Sequence, residues 1–264
     1  MELVLLLKAV LLGIVEGLTE FLPVSSTGHL IIAGELLDFT GPRAATFEVF
    51  IQLGAILGVM WLYRAKVRSV LRGLDEPPAR QFAGNLIVAF LPAAFAGLLF
   101  HDYIKRYLFN SDTVAWALIA GGFAMLAIER FAPAPRVNDV DSLSIGDAFK
   151  VGLAQVLSLV PGVSRAGATI MGGLATGLSR TAATEFSFFL AMPTMFAATL
   201  YDLYKSQGFL HISDAPLFTV GFVTSFVSAL IVVKLFLSYI ANHPFALFAW
   251  YRIAFGAALL VFFL

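Results

Sequence analysis

Six apolar runs of about bilayer length, near residues 45–63, 84–101, 113–130, 183–203, 217–238 and 246–264, dominate this chain. A helix needs roughly 20 mostly apolar residues to cross a hydrocarbon core. None of the runs alternates with the period of two that a membrane barrel strand requires. Composition agrees, with 59% hydrophobic and 13% charged residues, against roughly 45–50% and about 25% in soluble domains. A soluble globular enzyme and a disordered chain are excluded. Seventeen Lys+Arg balance 17 Asp+Glu, so no basic field exists to track a nucleic-acid backbone. The chain holds no cysteine, which removes disulfides, thiolate nucleophiles and cysteine metal sites. An all-α polytopic membrane protein is expected.

Two further apolar stretches, 1–37 and 145–178, are each interrupted by a cluster of Pro, Ser and Gly. The first break reads Leu22-Pro23-Val24-Ser25-Ser26-Thr27-Gly28 and the second Pro161-Gly162-Val163-Ser164-Arg165-Ala166-Gly167. Proline removes a helical N–H and disfavours helix in the residue before it. Each stretch is therefore expected to form a re-entrant hairpin of two half-helices. Glu2 and Glu16 speak against a secretory signal in the first. A shift of 139 residues places Gly13 on Gly152, Glu16 on Gln155, Val24 on Val163, Ser25 on Ser164 and Gly28 on Gly167. The single membrane domain, 1–264, then divides into a first repeat over 1–130 and a second over 145–264. Each has one hairpin and three transmembrane helices. Three spans per half is odd, so the halves are expected to lie in opposite orientation, with a shared site near the midplane.

Lysine and arginine in the short loops set orientation. Arg64, Lys66, Arg68, Arg72 and Arg80 fall between 63 and 84, and Arg130, Arg136 and Lys150 between 130 and 150. The opposite side holds Lys105, Arg106 and Lys205. The first two connections are thus expected in the cytoplasm, with the first hairpin opening outward and both termini outside.

Candidate chemistry sits in the hairpins. Glu16 and Glu20 are four apart and share one helix face. Like charges in a membrane need a counter-charge, and a hard cation such as Mg²⁺ suits carboxylate and phosphate oxygens. The stretch Ser25-Ser26-Thr27-Gly28-His29 opens the second half-helix. The free N–H groups and dipole of a helix start there attract an anion. His29, a turn from Ser26, suits base, acid or nucleophile. Arg165, matching Ser26 in the second repeat beside Ser164, suits bidentate phosphate binding, or an internal ion pair with Glu16 or Glu20. Glu48 and Glu185 are either supporting or interfacial, and Arg252 is positioned to pair with one of them. His101, His211 and His243 fall in or beside loops and are expected to do no chemistry.

The run from Glu16 to His29, Glu-Gly-Leu-Thr-Glu-Phe-Leu-Pro-Val-Ser-Ser-Thr-Gly-His, resembles the signature of the undecaprenyl-diphosphate phosphatase family associated with bacitracin resistance. Pro161–Thr169 resembles its second motif, with Ala166 where the family commonly has Ser. The likeness continues through Phe47-Glu48-Val49-Phe50-Ile51-Gln52-Leu53-Gly54 and Trp250-Tyr251-Arg252, across essentially the whole chain. It implies an enzyme of the bacterial inner membrane, open to the periplasm, that removes the terminal phosphate of undecaprenyl diphosphate and recycles the cell-wall lipid carrier. It further implies a Mg²⁺ (or Ca²⁺) requirement. Carried over, Glu16 and Glu20 are the acidic pair, Ser26 and His29 the serine and histidine, and Arg165 the arginine. Ser25, Thr27, Gly28 and Ser164 would line the phosphate, with Glu48, Gln52 and Arg252 behind.

Ser26, His29 and water all remain candidate attacking groups, with Ser26 favoured and His29 as its base. The rival class is a transporter that flips the dephosphorylated lipid, because inverted repeats and broken helices are transporter architecture. Against it, Glu16, Glu20 and His29 map onto Gln155, Leu159 and Ala168, so one half alone carries these titratable catalytic groups. The expected partners are the polyprenyl diphosphate and the bilayer, with no nucleic acid; a homodimer stays open.

Overall fold

The computed structural model describes residues 2–205 and 214–263, and among them every regular element is helical. A single isolated bridge joins Val137 to Leu178. The helices are α1 (Glu2–Thr19), α2 (Ser26–Leu36), α3 (Pro42–Leu62), α4 (Arg64–Arg72), α5 (Pro77–Tyr107) and α6 (Ser111–Phe131). They continue with α7 (Ile145–Val156), α8 (Arg165–Ala175), α9 (Arg180–Lys205), α10 (Ala215–Ile240) and α11 (Ala246–Phe263).

Local chemistry sets many of the helix starts. Pro42 and Pro77 open α3 and α5, where a missing N–H is harmless. Asn110 caps α6 by accepting from the Thr113 amide at 2.8 Å, and Ser144 caps α7 through Asp147. Five helices (α3, α5, α6, α9 and α10) are long and apolar enough to cross a membrane, and α11 falls just short in its described length. Phe95, Leu98, Trp116, Leu235 and Trp250 project outward with more than half their surface exposed. Such a girdle of large apolar side chains suits lipid, not water. The protein is a multi-pass, all-α membrane protein.

The two predicted breaks are present. The first spans Glu20–Ser25 between α1 and α2, and the second covers Leu157–Ser164 between α7 and α8, beginning with a single 3₁₀ turn at Leu157–Leu159. Both start a few residues before the Pro/Ser/Gly clusters, because a helix must stop short of a proline that cannot accept its geometry. The 63–84 connection differs from expectation: it folds into the basic helix α4 and the first turns of α5. Val67 and Val70 of α4 pack on the core, and Arg64, Arg68 and Arg72 point away. His101 lies inside α5, which runs to Tyr107, and His211 falls outside the described residues.

Packing follows the 139-residue correspondence. Helix α1 lies along α10, and α7 lies along α5, which are equivalent pairs. Helix α3 meets both α10 and its own counterpart α9, and α6 meets its counterpart α11. Glycines let these helices touch backbone to backbone, as expected where lipid offers no hydrophobic drive for association. A Cβ at Gly17 of α1 would sit 2.4 Å from the Ser225 carbonyl oxygen of α10, and one at Gly152 of α7 would sit 2.5 Å from that of Ala89 on α5. Phenylalanines fill the centre, with Phe21, Phe186, Phe188 and Phe245 each fully buried.

Because the atom facing Gly17 is backbone, the helices themselves must separate to admit a methyl group. Gly17→Ala is expected to destabilise the protein by about 1–3 kcal/mol. Thermal unfolding in detergent measures this, with the exposed Leu18→Ala as the mild comparison.

Candidate active site

Glu16 begins the last turn of α1, and the Glu20 amide still donates to its carbonyl at 2.9 Å, so both carboxylates stay on one side as the chain leaves the helix. Phe21 then anchors the break. Its ring is fully buried, edge-on to Phe188 at 5.5 Å, and carries the Arg165 guanidinium 5.5 Å from its centroid. One aromatic residue thereby fixes the approach of the first break to the start of α8.

At that junction the expected residues divide into three groups. Glu20 forms the centre: Ser26 Oγ donates to its Oε2, and Arg165 Nη2 donates to its Oε1 at 3.1 Å. Arg165 Nη1 donates to the Ser187 carbonyl at 3.0 Å, and Nη2 also meets the Met195 sulfur at 3.4 Å. The internal ion pair weighed for Arg165 is thus formed, with Glu20. Glu16 stands apart, wholly buried, with neither carboxylate oxygen hydrogen-bonded.

His29 forms the second group, and it does not meet Ser26. Its Nδ1 lies 2.7 Å from the Ser25 carbonyl and its Nε2 lies 2.6 Å from the Tyr251 hydroxyl, with the ring stacked on Phe255 at 4.3 Å. A carbonyl oxygen can only accept, so Nδ1 carries the proton and Nε2 of the neutral ring accepts from Tyr251. The expected Ser26–His29 pair is replaced by Ser26–Glu20, because the stack turns the imidazole toward α11.

The third group is backbone. Ser25 and Ser164, 139 residues apart, hold φ values of +71° and +73° at the starts of α2 and α8. Non-glycine residues there carry about 1–3 kcal/mol of strain each and concentrate at functional sites. Ser164 caps α8 by accepting from the Gly167 amide at 3.0 Å, whereas Ser25, at the equivalent position before α2, makes no side-chain cap. The first-turn amides at Ser26, Thr27 and Gly28 lie at the N-terminal end of an 11-residue helix, where N–H groups have no intrahelical acceptor.

Other expectations are corrected. Arg252 pairs with neither Glu48 nor Glu185; its partners are main-chain carbonyls. Glu185 accepts from Tyr63 at 3.1 Å, near the end of α3, away from the junction. Glu48 faces Gly34 of α2, where an added Cβ would lie 3.7 Å from its Oε1, and Gln52 is half-buried on α3. Ser187, Tyr251 and Phe21 were not singled out by sequence. Ser187 occupies the position matching Glu48 under the repeat shift, which was the available signal. A cavity of about 360 Å³ lined by Glu129, Pro133, Leu178 and Arg180 shares no residue with the junction.

A serine hydroxyl, a carboxylate, a guanidinium and a helix start, gathered inside a bundle of lipid-facing helices, place the protein among membrane-embedded enzymes of phosphoryl chemistry. It belongs to the family described as bacitracin resistance protein BacA, whose model matches residues 9–258. A relative from Aromatoleum aromaticum is 55% identical over 98% of this chain and 95% of its own, and carries the name undecaprenyl-diphosphatase. Relatives of the same name from Ectopseudomonas mendocina and Nitrosomonas eutropha are each 56% identical, over 98% and 99% of this chain and 95% and 96% of theirs.

The imidazole arrangement is directly observable. ¹⁵N resonances of His29 are expected to show a single tautomer protonated at Nδ1. Tyr251→Phe should shift the Nε2 resonance while leaving the Nδ1 signal in place. An Nε2-protonated ring would contradict the assignment.

Proposed function

We propose that this protein hydrolyses undecaprenyl diphosphate to undecaprenyl phosphate and inorganic phosphate. Membership of the family, and relatives that carry the diphosphatase name along nearly their full length, support the activity. One observation carries the mechanism: Glu20 holds the Ser26 hydroxyl through one oxygen and Arg165 through the other.

Ser26 is the nucleophile. As its oxygen bonds to the terminal phosphorus, its proton passes to Glu20, and the bond from phosphorus to the bridging oxygen breaks. The lipid monophosphate departs. A water then attacks the phosphoserine, the Oγ–phosphorus bond breaks, and Ser26 recovers its proton as inorganic phosphate leaves. Arg165 and the first-turn amides of α2 hold the equatorial oxygens where charge gathers. His29 holds the strained Ser25 carbonyl and so keeps the α2 start in place.

The donor set at Glu16 fits a divalent cation. Its two buried carboxylate oxygens have no partner, and an ionised carboxylate there would call for a positive charge. No cluster of three or more acidic or histidine ligands occurs among the described residues. Mg²⁺ can be held by as few as one or two carboxylates, with water and phosphate oxygens completing its shell. Held by Glu16 with Glu20 nearby, Mg²⁺ (or Ca²⁺) would neutralise charge on the diphosphate.

The architecture in this reading is an inverted repeat of two re-entrant hairpins, supported by the reciprocal packing of α1 on α10 and α7 on α5. Loop arginines favour a site opening to the periplasm of a bacterial inner membrane, with both termini outside. No observation favours the flippase reading: the relatives are named for hydrolysis, and the carboxylates stand in one half alone.

Two variants test the proposal. Ser26→Ala is expected to lose on the order of 10²–10⁴-fold or more in phosphate release, and rapid quench of the parent should trap phosphoserine. Robust Ser26→Ala turnover, with solvent ¹⁸O entering phosphate in one step, would assign attack to water. Separately, Glu16→Gln should lose most of its Mg²⁺-stimulated turnover while folding normally. Unchanged metal dependence would remove Glu16 from the cation site.

A further inference from the structure

Arg252 lies well inside α11 and is 1% exposed, yet no carboxylate pairs with it among the described residues. All its hydrogen bonds go to main-chain carbonyls. Nη1 donates to Pro23 at 3.2 Å and to Val163 at 2.8 Å, and Nη2 donates to Gly162 at 3.1 Å and to Ala117 at 3.1 Å. Nε donates to Leu118 at 3.4 Å. Five donors are the whole capacity of a guanidinium, so nothing is left over for substrate.

The identity of the acceptors is what matters. Pro23 belongs to the first break and Gly162 to the second, and they are equivalent under the 139-residue shift. Each precedes the side chain that enters the site, Ser26 or Arg165, by three residues. Ala117 and Leu118 belong to α6, so one planar group ties both breaks to a spanning helix. Space is reserved for it: a Cβ at Gly121 would sit 2.1 Å from Nη2. A buried, unpaired charge is costly, and an apolar side chain would fill the volume without that cost. Only a rigid fork reaches five carbonyls on three segments.

We infer that Arg252 is a positioning residue, a clasp that sets the separation of the two helix breaks and so brings Ser26 and Arg165 to the same Glu20. The inference rests on the reading of those residues as the site, but its structural half can be measured without turnover.

Because the chain has no cysteine, spin labels at Leu36→Cys on α2 and Leu157→Cys in the second break report their separation cleanly. Both positions are exposed. In Arg252→Lys, which keeps the charge and loses the fork, the distance distribution should broaden and kcat should fall on the order of 10²-fold, the scale of an ångström-size misplacement. KM should change less. Should Arg252→Lys fail to fold, Gly121→Ala displaces an intact guanidinium and is expected to give the same two effects. In the Arg252→Lys background, Gly121→Ala should add little. Parental distances and kcat in these variants would overturn the clasp. Broadened distances with parental kcat would instead remove Ser26 and Arg165 from the chemistry, and the positioning role with them.

Discussion

Hydrocarbon offers no hydrogen bonds, so every peptide group opened by a broken helix needs a partner inside the protein. Much of this structure answers that demand. The breaks at Glu20–Ser25 and Leu157–Ser164 expose carbonyls on one side and first-turn amides on the other. Arg252 accounts for the carbonyls of Pro23, Gly162 and Val163 with a single side chain. The first-turn amides at the start of α2 have no intrahelical acceptor, and a helix start of this kind suits an anion.

Charge is distributed with the same economy. Glu20 and Arg165, from different halves of the chain, neutralise each other at 3.1 Å with about a tenth of either side chain exposed. Other atoms of the pair are bonded too, Ser26 on the carboxylate and Ser187 on the guanidinium, although Arg165 Nε has no partner. Glu16 has no such partners at all. Neither of its buried oxygens has a hydrogen-bond partner, and it is on these two atoms that the proposed cation would be held.

Much of this was legible in sequence because membrane constraints write themselves into composition. Apolar runs gave the long helices, and Pro23 and Pro161 gave the breaks within a few residues. Glu16, Glu20, Ser26 and Arg165 stood out because polar groups are rare in such a background. Pairings were not legible. His29 lies three residues from Ser26, yet its ring bonds to Tyr251, 222 residues away. Arg252 looked like half of an ion pair, because nothing along a chain announces that carbonyls of two remote breaks will converge. Helix α4 was hidden in a polar connection, since its short amphipathic pattern is weak beside the flanking spans.

What the sequence determined by itself was the solvent and the parts. Apolar length requires a bilayer, proline requires interruption, and the 139-residue correspondence aligns the two breaks. Tertiary structure decided which part touches which. Helix-to-helix glycine contacts set the spacing, the Phe21 and Phe255 rings set the directions of Arg165 and His29, and together they handed the Ser26 hydroxyl to Glu20 and left His29 with Tyr251. Those choices rest on ångström-scale packing between segments more than a hundred residues apart, for which local pattern carries no information.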